Sequence, residues 1–535
     1  MKLELAYNIL DILGTMQDAV KQMQQEYAGE NFQKFELLSN DLRDGLTVVR
    51  QIAGEEIPAE SRDRLADACT CALESLRDIK WLNLARPEKV EWKLEYELGA
   101  IIEEMSRKFY YWEIVNEHPE KREDFLRYIA NTRAFQILKI PEEERIYFCD
   151  LVILVLAYNK LEYTMGCVQN ILDNLPRGIS CELVLFNHGS SDNTKEYFES
   201  IEGARVINIA VNGAVWGAFL NVASRGKYYL GVSNDVMVGK NAIENLVRCI
   251  AEHPDYGYVV PSTSAVSNFQ TIFADYKSKD EFLEFAARNN VYDERRHEQR
   301  VRLVNPIDSY PSAVLLQMEL DLYENKSCNG QMIAFPDDKI SCWMRRHGYK
   351  NILAKDAYCH HIGSVTINTE ISAQEERNKI YLAGRKEFMA YYGIDPWGPG
   401  SYFEPNLFKS WKIKPVDDTC ILGINCGLGS GSLKVKEVMR EQGAKNVRLI
   451  NCEQDQRYLQ DLRGISDEVY EFACLPDIVE STGRNWFEYI VVEESIEGYR
   501  QEQIVQEILK AGIQFGEMAY KAGEEWRIYI HKAIM

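Results

Sequence analysis

The chain has 535 residues, 46% hydrophobic and 27% charged, a length and balance that suit several folded domains and exclude wholesale disorder. Its 82 acidic against 61 basic residues leave a formal charge of −21, which repels nucleic-acid phosphates and anionic lipid and argues against both as partners. Thirteen cysteines show no CxxC pair and no regular spacing, which argues against structural zinc and for a reducing compartment.

Residues 1–147 read as helices in series. Acids inside the first apolar stretch exclude a signal peptide, and the strongest apolar run, 151–158, is too short to cross a bilayer. A cytoplasmic place, at most peripheral to a membrane, is therefore expected. Leu5, Ile9, Ile12, Met16, Ala19 and Met23 recur at helical spacing. So do Phe35, Leu38, Leu42, Leu46 and Val49, and Val90, Leu94, Leu98, Ile101, Met105 and Phe109, the last stripe entered through Pro87. Such stripes predict a helical bundle that is either a structural cap or an interaction module through which the chain forms a homo-oligomer.

At Asp150 the period changes. LVILVLAYNK is nearly continuous in apolar residues, as a strand buried on both faces should be. A helix from Tyr163 to Leu175 and strands at 181–186, 205–210 and 227–232 follow, so 148–400 reads as an α/β domain with ligands expected at the strand ends. After the Gly-, Pro- and aromatic-rich loop 397–406, the stretch 419–439 reads as strand, glycine-rich turn and helix. With candidate strands VRLINC, YEFACL and FEYIVVEE it makes 415–535 a second, smaller α/β unit.

Transfer from a sugar nucleotide needs a base pocket, a cation to neutralise the departing diphosphate, and a carboxylate to deprotonate the acceptor. The central segment carries AYNK at 157–160, FNHGSSDNT at 186–194, SNDV at 233–236, FPDDKISCWMRRHGY at 335–349 and DAYCHHIGS at 356–364. In this order and spacing the motifs resemble those of the inverting family-2 glycosyltransferases of the GT-A fold. The resemblance implies that Ala157, Tyr158, Asn159, Asn187, Ser190, Asp192 and Asn234 bind the nucleotide sugar. It implies that Asp235 and a downstream histidine hold Mn2+ or Mg2+, and that an aspartate of the Asp337–Asp338 pair is the catalytic base. Adjacent His360 and His361 face opposite ways on an extended strand, so at most one of them ligates; the place of Gly363 and Ser364 favours His361. Ile340 and the Arg-Arg-x-Gly-Tyr tail favour Asp337 as the base.

The sequence departs from that family at Asn187, where an acid is usual, at Asn234 and Val236, which leave the acidic motif one carboxylate, and at Trp343 and Pro336. The C-terminal segment resembles Rossmann-like methyltransferases that bind S-adenosylmethionine, through ILGINCGLGSG at 421–431 and FEYIVVEESIEGY at 487–499. Gly423 and Asn451 stand where that family has acids, so this unit is expected to be non-catalytic and S-adenosylmethionine is not an expected cofactor. The expected activity is inverting transfer of a hexose from a UDP-, dTDP- or GDP-linked donor to a hydroxyl of a bacterial glycan, a lipid-linked glycan or a protein. The segment Ser262–Val314 is expected to shape the acceptor site. A pseudoenzyme scaffold and a bifunctional glycosyltransferase-methyltransferase are the rival readings. Asp235, Asp337 and His361 together argue against the first, and Gly423 and Asn451 against the second.

Overall fold

The computed structural model describes residues 3–52, 57–304, 306–324, 336–363 and 374–531. Phe335 and Ser364, at the ends of two of the motifs, lie outside the described residues. Helices Leu3–Ala28, Phe32–Ile52 and Ala59–Ala85 lead to a helical run from Pro87 to Val115 that widens to a π-helix over Lys93–Leu98 and again over Tyr111–Val115. The strands then run in order: β1 Cys149–Ala157, β2 Cys181–His188, β3 Arg205–Ile209, β4 Gly226–Ser233, β5 Val236–Val238, β6 Tyr256–Thr263, β7 His297–Arg300, β8 Ile307–Pro311, β9 Lys350–His361, β10 Cys420–Ile424, β11 Arg448–Glu453, β12 Glu468–Glu471, β13 Trp486–Val492, β14 Gln514–Ala522 and β15 Glu525–Ile530. This is the mixed α/β architecture expected, with a helical N-terminal region and a C-terminal α/β sheet. Among the described residues, no helix is long and apolar enough to cross a membrane.

Packing divides the chain into two compact units. Of the described residues, the first comprises 3–52, 57–237 and 306–324; the second comprises 238–304, 336–363 and 374–531. The division runs through the central segment, so each unit holds part of it.

In the first unit the strand order is β3-β2-β1-β4-β8, the first four parallel and β8 antiparallel to β4. The apolar run of β1 is buried on both faces, as its sequence requires. Register pairs Ala157 with Asn187 and Leu156 with Ser233, so β1, β2 and β4 end level. The outer edge of β3 is covered by the helical region, where Trp92 Nε1 donates to the Val206 carbonyl at 3.2 Å. An edge strand with unpaired backbone groups is thereby satisfied by side chains.

In the second unit β9 pairs with β6 in parallel and with β7 antiparallel. The C-terminal sheet has the order β12-β11-β10-β13-β14-β15, parallel except for β15. Buried ion pairs tie this sheet to the rest of its unit. Glu298 of β7 meets Lys434 at 2.7 Å, Arg300 at 2.9 Å and Lys355 at 3.2 Å. Asp461 meets both Arg345 and Arg346 at 2.7 Å. Such pairs add little net stability over apolar packing, but losing one partner strands a buried charge.

Two expectations need correction. The buried stripe of the first helix is Ala6, Ile9, Leu13, Met16, Val20, Met23 and Tyr27, while Ile12 is 37% exposed and Ala19 only partly buried. This helix packs against both Phe32–Ile52 and Gly99–Tyr110, so its buried face is centred one residue away from the stripe read by spacing alone. The YEFACL strand stops at Glu471, because Cys474 caps a helix entered through Pro476. The antiparallel pair β14–β15 was not anticipated.

Candidate functional site

A strand order of 3-2-1-4 reverses direction between β1 and β4, and the crevice beyond their carboxyl ends is where such sheets hold ligands. The turns that leave those two strands, Tyr158–Lys160 and Asn234–Asp235, carry the first and third motifs. They are physically joined: Asn234 Nδ2 donates to the Asn159 carbonyl at 3.1 Å and to Thr164 Oγ1 at 2.8 Å.

The GSSD loop after β2 is stitched to the same place. Asn159 N donates to Ser190 Oγ at 2.8 Å, and Asn159 Oδ1 accepts from Ser191 N at 2.8 Å. Asp192 accepts from Leu161 N at 3.0 Å and from Thr194 N at 3.1 Å, so one carboxylate caps the starts of two helices. Asn159 and Lys160 both sit in the left-handed region, at φ 56° and 61°, which costs about 1 kcal/mol or more each. Gly189 at φ 82° is demanded by space as well, because a Cβ there would lie 2.5 Å from Asn212 N. Asn159, Ser190, Asp192 and Asn234 therefore hold the loops in shape. Ala157 is the buried last residue of β1, Tyr158 is half-buried, and Asp235 is 7% exposed.

Asn187 is turned into the protein, with Oδ1 accepting from Ser190 N at 3.1 Å and Nδ2 donating to Asn208 Oδ1 at 3.2 Å. Its neighbour His188 is buried edge-on to Trp216 with ring centroids 4.8 Å apart. Burial pushes this imidazole down to about 4, so it is neutral near pH 7.

The remaining predicted residues lie in the second unit. Asp337 and Asp338 occupy the first turn of the helix Pro336–Arg346. Asp338 is 6% exposed and gripped by Arg302 in a two-pronged pair, at 2.7 and 3.1 Å. Burial raises its carboxyl, against the pull of Arg302. Asp337 is only partly buried. His360 and His361 end β9 and diverge as an extended backbone requires. His360 Nδ1 is 2.6 Å from Tyr276 Oη, and its ring packs among Tyr276 and Phe282. Burial lowers the His360 imidazole. His361 Nδ1 is 2.6 Å from the Ala265 carbonyl, which can only accept. Nδ1 therefore carries a proton in this contact. Sequence reading missed Arg302, Tyr276 and Asn208, because a polar residue in a loop or on a strand carries no sign of its distant partner.

Among the described residues, the one group of three with ligand atoms close enough to share an ion is Glu252, His253 and Glu294. Glu252 there is already engaged by Arg248 at 2.7 Å and Tyr292 at 2.6 Å.

The C-terminal sheet has its own reversal point, between β10 and β13. The turn Asn425–Gly429 occupies it, but this chain fills the site itself. Leu428 N donates to the Pro399 carbonyl and Ser430 N to the Gly400 carbonyl, both at 2.9 Å. Gly400 N donates in turn to Glu493 Oε1 at 3.0 Å. Gly423 pairs with Asn451 across β10 and β11, and a Cβ at Gly423 would lie 1.9 Å from Asn451 Oδ1. An acid at position 423 has no room.

The first unit thus presents a Rossmann-like sheet with a loop-lined site at its reversal point. Residues 152–317, from within β1 to just past β8, match the family model for glycosyl transferase family 2. The match covers less than half of the chain. No curated protein matches the chain. Among solved structures, similarity to GalNAc-T7, crystallised with UDP, GalNAc and Mn2+, covers 40% of this chain and 43% of that one at 12% identity and a TM-score of 0.32. Similarity to residues 1–349 of TarS from S. aureus covers 45% of this chain and 65% of that one at 16% identity and a TM-score of 0.29. The same protein with UDP-GlcNAc matches at 15% identity, 45% and 66% coverage and a TM-score of 0.30. The matched region spans less than two thirds of each of these chains.

Proposed function

We propose that this protein transfers a sugar from a nucleoside-diphosphate donor to an acceptor hydroxyl, with inversion at the anomeric carbon. The observation that carries the reading is the Asn234–Asn159 clasp at the reversal point of the segment that matches glycosyl transferase family 2. It holds the tyrosine of the first motif and the lone carboxylate of the third at adjacent strand ends. Tyr158 is the side chain proposed to pack on the base, framed by the Asn159, Asn187, Ser190 and Asp192 loop.

Asp235 supplies a carboxylate oxygen, the donor that a hard divalent cation such as Mn2+ or Mg2+ prefers, and His361 is the downstream imidazole that the resemblance implies as a ligand. When bound, such a cation supplies positive charge to offset the departing diphosphate. Asp337 takes the acceptor proton, and Asp338 keeps the helix start in place through Arg302. Acceptors of the expected kind are hydroxyls of a glycan, a lipid-linked glycan or a protein, and the expected compartment is the cytoplasm. The C-terminal unit binds no S-adenosylmethionine in this reading, since its glycine-rich turn already receives two carbonyls of the chain.

Thermal shift and calorimetry with UDP, GDP and dTDP, each with and without Mn2+, test the reading directly. One nucleotide should raise the melting temperature in a metal-dependent way, and Asp235→Asn should abolish that binding without unfolding the protein. Wild-type indifference to all three, or equal binding by the variant, overturns respectively the donor class or the ligand role of Asp235.

A further inference from the structure

The helical region reaches β3 with charged groups as well as with Trp92. Glu97 is completely buried. Its carboxylate accepts from Ser75 Oγ at 2.7 Å, from Lys93 Nζ at 2.8 Å and from the backbone N–H of Asn208 at 2.7 Å. Lys93 and Glu97 both belong to the π-helical turn Lys93–Leu98, a local widening of the kind often kept where side chains must be aimed. Asn208 continues the chain of bonds. Its Nδ2 donates to Glu199 Oε1 at 3.1 Å, and its Oδ1 receives Asn187 Nδ2 at 3.2 Å. Asn187 Oδ1 then receives Ser190 N at 3.1 Å, and Ser190 Oγ receives Asn159 N at 2.8 Å.

Each bond in this relay has one direction. A backbone N–H only donates and a carboxylate only accepts, so both amides are locked in orientation between Ser190 N and Glu199. We infer that the β3 edge is a positioning part of the donor site: Asn208, seated on the helical region by its backbone bond to Glu97, holds Asn187, and through it the 187–192 loop, in the shape that receives the nucleotide. The inference rests on the donor reading above. It also accounts for the amide at 187 where the resembled family has an acid. A carboxylate there would face Asn208 Oδ1, and Asn208 could not turn to donate to it without turning its own oxygen toward Glu199. Both outcomes leave like-charged or acceptor atoms in contact at buried positions, which costs more than the bond gained.

A cover that merely shields the β3 edge requires Trp92 and the Glu97–Asn208 backbone bond, not the Asn208 side chain. Asn208→Ala separates the two roles, because it keeps the backbone bond and removes the link to Asn187. With the nucleoside diphosphate that wild type binds best among UDP, GDP and dTDP, in the presence of Mn2+, calorimetry should give a Kd about tenfold weaker for the variant. Its circular dichroism melt should stay within a few degrees of wild type. Kd within twofold of wild type overturns the positioning role while leaving the donor reading intact. Wild type that binds none of the three overturns the donor reading and the relay with it. If Asn208→Ala does not fold, Ser75→Ala, which removes only one bond to Glu97, should weaken binding about threefold; unchanged binding there also overturns the proposal.

Discussion

Asp337 and Asp338 are neighbours with different surroundings. Asp338 is buried against Arg302, whereas Asp337, one residue earlier in the same helical turn, is only partly buried. The two asparagine variants should therefore fail in different ways. General-base assistance is worth about 10²–10⁴ in rate, so Asp337→Asn should lose turnover by that factor with donor binding and melting temperature nearly unchanged. Asp338→Asn should instead destabilise the protein by about 3 kcal/mol, because Arg302 is left with a buried charge and a neutral partner. Steady-state kinetics and thermal melts on both variants check this. A kinetic loss confined to Asp338→Asn would move the base by one position.

Among the elements, the glycine-rich turn after β10 shows most plainly that local sequence and local role can part. Asn425–Gly429 reads in the sequence as a cofactor-binding turn, yet the amides of Leu428 and of Ser430 just beyond it are spent on the Pro399 and Gly400 carbonyls. Gly400 sits at φ 68°, and a Cβ there would lie 1.9 Å from the Cys426 carbonyl and 2.6 Å from two backbone nitrogens. Gly443, at φ 94°, has open space around its missing Cβ. Gly400→Ala should thus cost the left-handed strain of about 1–2 kcal/mol plus displacement of the 398–401 turn. Gly443→Ala should cost the strain alone. Denaturant melts of the two variants should place Gly400→Ala clearly below Gly443→Ala; equal losses would mean that the turn is not held as described.

At the scale of the whole molecule, buried carboxylates fall into two kinds. Glu298 is buried, yet Arg300, Lys434 and Lys355 hold its carboxyl well below the usual range. Glu453 and Glu493 are buried mainly against backbone, and burial pushes them up to about 7 and about 8. Glu493 Oε2 has no hydrogen-bond partner among the described residues. Groups raised in this way bind protons in the folded state that they release on unfolding. Their contribution is fully present below the ordinary glutamate pKa and is lost as pH rises through about 7 to 8. Thermal melts of Glu493→Gln, which mimics the protonated form, should show the variant more stable than wild type at pH 8.5, with the gap closing towards pH 5. A gap that is constant with pH would mean that Glu493 is ionised throughout.

The sequence by itself determined the order of the parts. The continuous apolar run at 151–157 could only be a doubly buried strand, the helical stripes were legible because burial repeats with the helix, and the motifs marked the strand ends that bear the site. What it did not contain is which polar groups meet across long separations. Asn187, Asn159, Ser190 and Asp192 are expected to meet the nucleotide sugar, and that their side chains also bond the loops to one another was not legible, because hydrogen-bond partners are chosen by the packing of distant segments. The link from Glu97 to Asn208, the grip of Arg302 on Asp338 and the filling of the second glycine-rich turn by Pro399 and Gly400 were decided by tertiary structure alone. Periodicity records whether a residue is buried; only the assembled fold records against what.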